Sequence, residues 1–168
     1  AMELLQAAPR NSRSLTDYVL TVQDEDIRAA LGHYTISGAM GHLLDGKSDD
    51  VEFTPFTVFE IDELMKLGDK NAIPVLLYLF RRFEKGLHGQ PAILSLDEAW
   101  VMLGHEVFRS RIREWLKELR KKNCLVLMAT QSLSDAVNSN LLDVLLEQCP
   151  TKILLPNKEA QLEGSGSN

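Results

Sequence analysis

The sequence predicts an α/β fold in which a mainly parallel sheet is flanked by helices and preceded by a helical subdomain. Two short apolar runs, at residues 92–96 and 124–129, are typical of strands buried on both faces. A segment with helical periodicity lies between them, as the crossover between parallel strands requires. The composition agrees, because 45% hydrophobic and 25% charged residues are typical of a globular domain.

Three regions are expected along the chain. Residues 1–50 form a helical subdomain or insertion, in which Ser14 and Asp24 mark two helix starts. Residues 51–157 form the α/β core, and residues 158–168 form a tail that is flexible by its Gly and Ser content. No stretch approaches the roughly 20 apolar residues that span a bilayer, so we expect no transmembrane segment.

Within the core, strands and helices are predicted to alternate. The first strand, Phe56–Ile61, is rich in β-branched and aromatic residues. Gly68 ends a short helix, and Pro74 is placed in the first turn of the long helix that follows. In chain order, the predicted elements are a strand at 56–61, helices at 63–67 and 71–87, a strand at 92–96, a helix at 105–122, a strand at 124–129, a helix at 141–147 and a strand at 152–155.

Polar side chains follow the two apolar strands at the point where each strand ends. Asp97 and Glu98 follow the first, Thr130 and Gln131 follow the second, and Glu60 can take the same place after the strand at 56–61. Ligands of parallel sheets bind at these carboxyl ends, and paired carboxylates there fit a metal–nucleotide site. The alternative is structural: the carboxylates begin the next helix, where negative charge suits its dipole, and the glutamine caps a turn.

The helix at 105–122 carries a basic stripe beside its apolar face. Its members recur at helical spacing, and they are Arg109, Arg113, Lys117 and Arg120. The stripe is either a solvated face or a surface for an anionic partner, which is nucleic acid or a phosphate or acidic patch on a neighbouring subunit. The net charge of −6 argues against a protein that coats nucleic acid generally.

A phosphate-loop pattern, G-x-x-x-x-G-K-[ST], is present at Gly41–Ser48. A working phosphate loop follows a buried strand and opens a helix, whereas this match follows helical or irregular sequence. Asp45, Asp49 and Asp50 would also repel phosphate. We therefore interpret the match as accidental, and we expect Lys47→Ala to leave the nucleotide affinity of the parent protein unchanged.

Cysteine and histidine give no sign of a metal site. The two cysteines, Cys124 and Cys149, lie in apolar surroundings without a Cys or His at metal-binding spacing. We interpret them as reduced core thiols of a cytoplasmic protein. The four histidines are scattered along the chain, and no metal cluster is expected among them.

From Ser14 to Asn157 the chain resembles the TrbE-like ATPases of conjugation and type IV secretion, also called the fourth VirB component. The resemblance rests on six segments in order, which are Phe59–Met65, Pro74–Arg82, Leu96–Trp100, Ile112–Lys117, Ala129–Ser132 and Cys149–Ile153. It implies a RecA-like P-loop NTPase core, related to the HerA and FtsK translocases. Such a motor uses ATP and Mg²⁺, forms hexamers and works with other secretion components at the cytoplasmic face of the bacterial inner membrane.

The resemblance also implies roles for single residues. Asp97 is the Walker B residue that supports Mg²⁺ through water, Glu98 the catalytic carboxylate and Gln131 the γ-phosphate sensor. Thr130 and Arg120 are further candidates for nucleotide contacts, and Arg120 can act in trans. In the family the phosphate loop lies upstream of the region resembling Ser14, so we expect this chain alone to be inactive. Two alternatives stay open: a non-catalytic docking module, and a DNA translocase that uses the basic stripe.

Overall fold

The structure, a computed structural model, describes residues 14–97, 106–130, 137 and 142–156. The chain divides into two compact units, Ala1–His88 and Gly89–Asn168. The division lies at the end of a long helix, whereas the sequence suggests a boundary near residue 50. The tail expected at residues 158–168 lies outside the described residues.

The first unit is helical, and its helices begin where local side chains cap them. The Ser14 hydroxyl accepts a hydrogen bond from the Asp17 N–H, and the Asp17 carboxylate accepts one from the Ser14 N–H. The Asp24 carboxylate accepts hydrogen bonds from two backbone N–H groups of the next helix. The helices are α1 (Leu15–Thr21), α2 (Glu25–Gly32), α3 (Gly41–Leu44), α4 (Asp62–Lys66) and α5 (Asp69–Gly86).

Helix α5 begins two residues before the predicted start, so Pro74 lies in its second turn rather than its first. Proline has no N–H for the carbonyl four residues earlier, which belongs to Lys70. The hydroxyl of Tyr34 donates to that carbonyl instead, at 2.6 Å. Nearby, His33 Nε2 and Asn71 Oδ1 lie 2.7 Å apart. These contacts join the N-terminal helices to α5, which explains why residues before 50 do not form a unit of their own.

Two predicted strands are wrong. Residues 56–61 and 152–155 are irregular, and Phe56 and Ile153 are 85% and 77% exposed. A strand needs a neighbour for its backbone N–H and C=O groups, and no described strand pairs with either segment. Glu60 therefore does not follow a strand, and the structure does not place it at a sheet edge.

The second unit contains the predicted parallel sheet. Strands β1 (Ala92–Leu96) and β2 (Cys124–Met128) pair in parallel, and Ala92 lies opposite Cys124. Helix α6 (Glu106–Lys121) connects them and packs on β2, and α7 (Leu142–Gln148) contacts α6. These bounds differ from the predicted ones by no more than one residue. The predicted α/β class is confirmed.

The core of this unit lies between α6 and one face of the sheet. The predicted apolar face of α6 is buried, and its residues are Phe108, Ile112, Trp115, Leu116 and Leu119. The rings of Phe108 and Trp115 meet edge to face, with centroids 6.0 Å apart. On the other face of the sheet, Ile93 and Leu125 are 67% and 62% exposed. The prediction of strands buried on both faces is therefore wrong, since α6 covers only one face.

Candidate functional site

Asp97 and Thr130 lie at the same edge of the sheet. Asp97 directly follows β1, and the Ala129 N–H after β2 donates to the Leu96 carbonyl at 2.9 Å. The chain therefore leaves both strands at the same level, one residue before Thr130. The Asp97 side chain is exposed and Thr130 is half-buried. The structure thus places a carboxylate and a hydroxyl at the carboxyl ends of two parallel strands, as the sequence predicts.

This pair of oxygen donors fits a Mg²⁺–nucleotide complex. Mg²⁺ prefers oxygen ligands and usually keeps several waters, so one carboxylate together with phosphates is enough to bind it. No described group of three or more His, Cys, Asp or Glu residues has the geometry of a metal cage. The described residues therefore suit a cation that arrives with its nucleotide, with Asp97 acting through water.

Two of the predicted site residues, Glu98 and Gln131, lie outside the described residues. Their assignments as catalytic carboxylate and γ-phosphate sensor stay predictions. In the sequence they directly follow Asp97 and Thr130, the two residues that the structure brings to one edge.

Arg120 lies at the opposite end of the sheet from Asp97. Its carbonyl accepts from the Asn123 N–H, and the Asn123 carbonyl accepts from the N–H of Ala92, the first residue of β1. Asp97 follows the last residue of β1, and four steps along a strand cover about 13 Å. The structure therefore does not bring Arg120 together with the other predicted nucleotide contacts of its own chain.

The phosphate-loop match at Gly41–Ser48 has another structure. Helix α3 is a single turn that follows bends and turns rather than a strand. Asp45 is buried, and its carboxylate accepts hydrogen bonds from the N–H and hydroxyl of Thr16 and, at 2.6 Å, from the Ile36 N–H. Burial alone would raise the pKa of Asp45, but these hydrogen bonds outweigh it and lower the pKa. Asp45 therefore holds α1 against the turn before α3, a structural role that the sequence did not reveal.

The cysteines are free thiols in apolar surroundings. Cys124 is buried, Cys149 is half-buried, and neither is in a disulfide. Burial raises the pKa of both thiols, so each stays protonated and poorly nucleophilic near neutral pH. Neither cysteine is a candidate nucleophile.

An α/β unit whose parallel strands end in a carboxylate and a hydroxyl has the architecture of nucleotide-handling α/β proteins. The family model of the TraG P-loop domain matches residues 17–163. The chain belongs to this family, and the predicted P-loop class is confirmed.

The comparison with known proteins also gives relatives over most of the chain. A probable conjugal transfer protein TrbE of Sinorhizobium fredii (strain NBRC 101917 / NGR234) is 56% identical over 162 residues, 96% of this chain and 24% of that protein. Conjugal transfer protein TrbE of Rhizobium radiobacter is 56% identical over 158 residues, 94% of this chain and 19% of that protein. Type IV secretion system protein virB4 of Bartonella quintana (strain Toulouse) is 30% identical over 164 residues, 95% and 21% respectively.

These relatives confirm the predicted resemblance to the TrbE and VirB4 proteins. The chain spans only about a fifth to a quarter of their length. The activity of a whole protein of this kind is therefore a proposal for this chain.

Proposed function

We propose that this chain supplies one half of an ATP-hydrolysing centre in the motor domain of a conjugation or type IV secretion system. The observation that carries the proposal is the Asp97 carboxylate at the end of β1, level with the end of β2 and next to Thr130. Membership in the TraG P-loop domain family supports a nucleotide as the ligand of this edge. The relatives support transfer or secretion as the process, because their names describe conjugal transfer and type IV secretion.

Each strand-end residue has a distinct role in the proposed centre. Asp97 holds the waters of a Mg²⁺ ion, and Thr130 contacts the nucleotide from the end of β2. Glu98 orients the attacking water and accepts its proton, and Gln131 detects the γ-phosphate. Bound Mg²⁺ neutralises charge on the phosphates. ATP and Mg²⁺ are thus the proposed cofactors of the full-length protein.

The full-length protein is proposed to be a homo-hexamer that couples ATP hydrolysis to pilus assembly or to transfer of a protein or DNA substrate. Its other partners are components of the secretion system, and its location is the cytoplasmic face of the bacterial inner membrane. None of the described helices combines the length and hydropathy needed to cross a bilayer. Arg120 reaches a nucleotide in this assembly only from a neighbouring subunit, since it lies at the far end of its own sheet.

Substitution of Asp97 by Asn in the full-length protein tests the metal role. The change keeps the size of the side chain and removes the charge that holds the waters of the cation. We expect the Mg²⁺ concentration for half-maximal ATP hydrolysis to rise about 10- to 100-fold, the usual cost of an outer-shell partner. Asp69→Asn, at the exposed first turn of α5, is the matched control and should leave the Mg²⁺ dependence unchanged. A docking module with structural carboxylates predicts altered assembly with an unaltered Mg²⁺ dependence.

Isolated, the 168-residue chain is expected to bind ATP weakly or not at all. The lysine and the backbone amides of a phosphate loop supply most of the contacts to the β- and γ-phosphates, and Gly41–Ser48 does not have that structure. Isothermal titration with Mg²⁺–ATP measures this directly. Tight, Mg²⁺-dependent binding by the chain alone would show that its phosphate site is complete.

A further inference from the structure

Helix α6 carries exposed cations of two kinds. Arg111 and Lys121 form ion pairs with Glu114 and Glu118, at 3.0 and 2.8 Å. The other cations belong to the basic stripe, and within the described part of the chain none of them forms an ion pair. The three stripe members whose side chains are described are Arg113, Lys117 and Arg120, and all three are exposed.

The three side chains form one short line of positive charge. Their spacing of four and then three residues places them on one side of the helix, and seven residues of helix rise about 10 Å. Like charges three or four residues apart repel one another mildly, so the line destabilises α6 slightly when nothing covers it. A partner that offers a few carboxylates over a similar length would remove this repulsion.

We propose that the basic stripe is a docking surface for an acidic face on a second copy of the chain. The chain has 24 Asp and Glu residues against 18 Lys and Arg residues, so each copy has surplus carboxylates to offer. Arg side chains suit such a partner, because a guanidinium binds a carboxylate with two parallel hydrogen bonds. The inference rests on the proposed oligomer, for which it names a surface, and it is independent of the ATPase chemistry.

A protein face fits the stripe better than a nucleic acid does. Duplex DNA carries about one negative charge per 1.7 Å, far beyond the length of the stripe, and would also meet the neighbouring carboxylates Glu114 and Glu118. The aromatic residues of α6, Phe108 and Trp115, are buried, so the described part of the stripe offers no ring on which bases could stack. The net charge of −6 adds repulsion over longer distances.

Exposed ion pairs contribute little affinity each, so the stripe acts mainly on the orientation and rate of association. The experiment is sedimentation velocity of the chain without ATP, at up to ~100 µM protein and at ~50 and ~500 mM NaCl. We expect self-association that weakens at high salt. The double variant Arg113→Glu/Lys117→Glu should weaken it about 10-fold or more at low salt. The control Arg111→Glu/Lys121→Glu makes the same charge change on the same helix and should weaken it less than about twofold.

Three results would overturn the proposal. The first is a chain that stays monomeric at low salt, and the second is equal weakening by the two double variants, which would reflect net charge alone. The third is fluorescence-anisotropy binding of a DNA oligomer that only the stripe variant abolishes, which would make the stripe a nucleic-acid surface. Far-UV circular dichroism checks the fold, and Arg113→Gln/Lys117→Gln replaces the reversed variant if that one unfolds. Because ATP is absent throughout, failure of the proposed ATPase role leaves these results unaffected.

Discussion

Replacing Glu98 with Gln in the full-length protein is expected to slow ATP hydrolysis about 10²- to 10⁴-fold and to leave ATP binding intact. The amide keeps the shape of the side chain but cannot accept a proton from the attacking water. The carboxylate at the end of β1, Asp97, is unchanged, so the Mg²⁺-dependent part of binding persists. Phosphate release measures turnover, and equilibrium binding of a fluorescent ATP analogue measures affinity.

Glu106→Gln is the matched control for this substitution. Glu106 is the first residue of α6, it is exposed, and it is the next carboxylate along the chain after Glu98. Its neutralisation should change turnover less than about twofold, because exposed surface changes away from a site have small effects. Unchanged turnover in Glu98→Gln would instead favour the docking module, in which the carboxylates at the strand end are structural.

Local signals in the sequence were sufficient to predict most helices. The Ser14–Asp17 capping box and the Asp24 cap each act within a few residues, and both are formed as expected. The apolar periodicity of α6 predicted its buried face because one helix and one sheet decide that burial. The carboxyl-edge position of Asp97 and Thr130 followed from the parallel order of two strands, which the intervening helix requires.

Features that depend on distant partners were not predictable from the sequence. Residues 56–61 have strand composition, but composition does not supply the neighbouring strand that would pair with them. Asp45 looked like an obstacle to phosphate and proved to be an acceptor for Thr16, which is 29 positions earlier in the chain. Arg120 was a candidate nucleotide contact by its residue type, and only the sheet shows that it lies at the far end from Asp97.

Gly41→Ala is expected to destabilise the chain by about 3 kcal/mol or more, at the upper end of overpacking effects. A Cβ on Gly41 would overlap the carbonyl oxygen of Thr35, and a backbone atom cannot move aside as the end of a side chain can. Moving Thr35 also displaces the Ile36 N–H from the Asp45 carboxylate, which leaves buried polar groups unpaired. Urea denaturation, followed by circular dichroism, measures the loss.

Gly32→Ala separates this overlap from the general effect of replacing a glycine. Gly32 is the last residue of α2, and a Cβ there would meet no atom within 4 Å. Alanine at this position should be neutral or stabilise by up to about 1 kcal/mol, because it has the higher helix propensity. Equal losses in Gly41→Ala and Gly32→Ala would show that Thr35 gives way without cost.

Lys47→Ala completes the test of the phosphate-loop match, because it changes the residue that a true phosphate loop needs most. Lys47 is exposed, and it lies beyond the Asp45 carboxylate that fixes this segment. The substitution should leave both the free energy of unfolding and the ATP affinity of the full-length protein unchanged. Together with Gly41→Ala, it would show that the glycine is required for packing and the lysine is dispensable for nucleotide binding. Loss of ATP binding in a folded Lys47→Ala protein would mean that Gly41–Ser48 contacts phosphate after all.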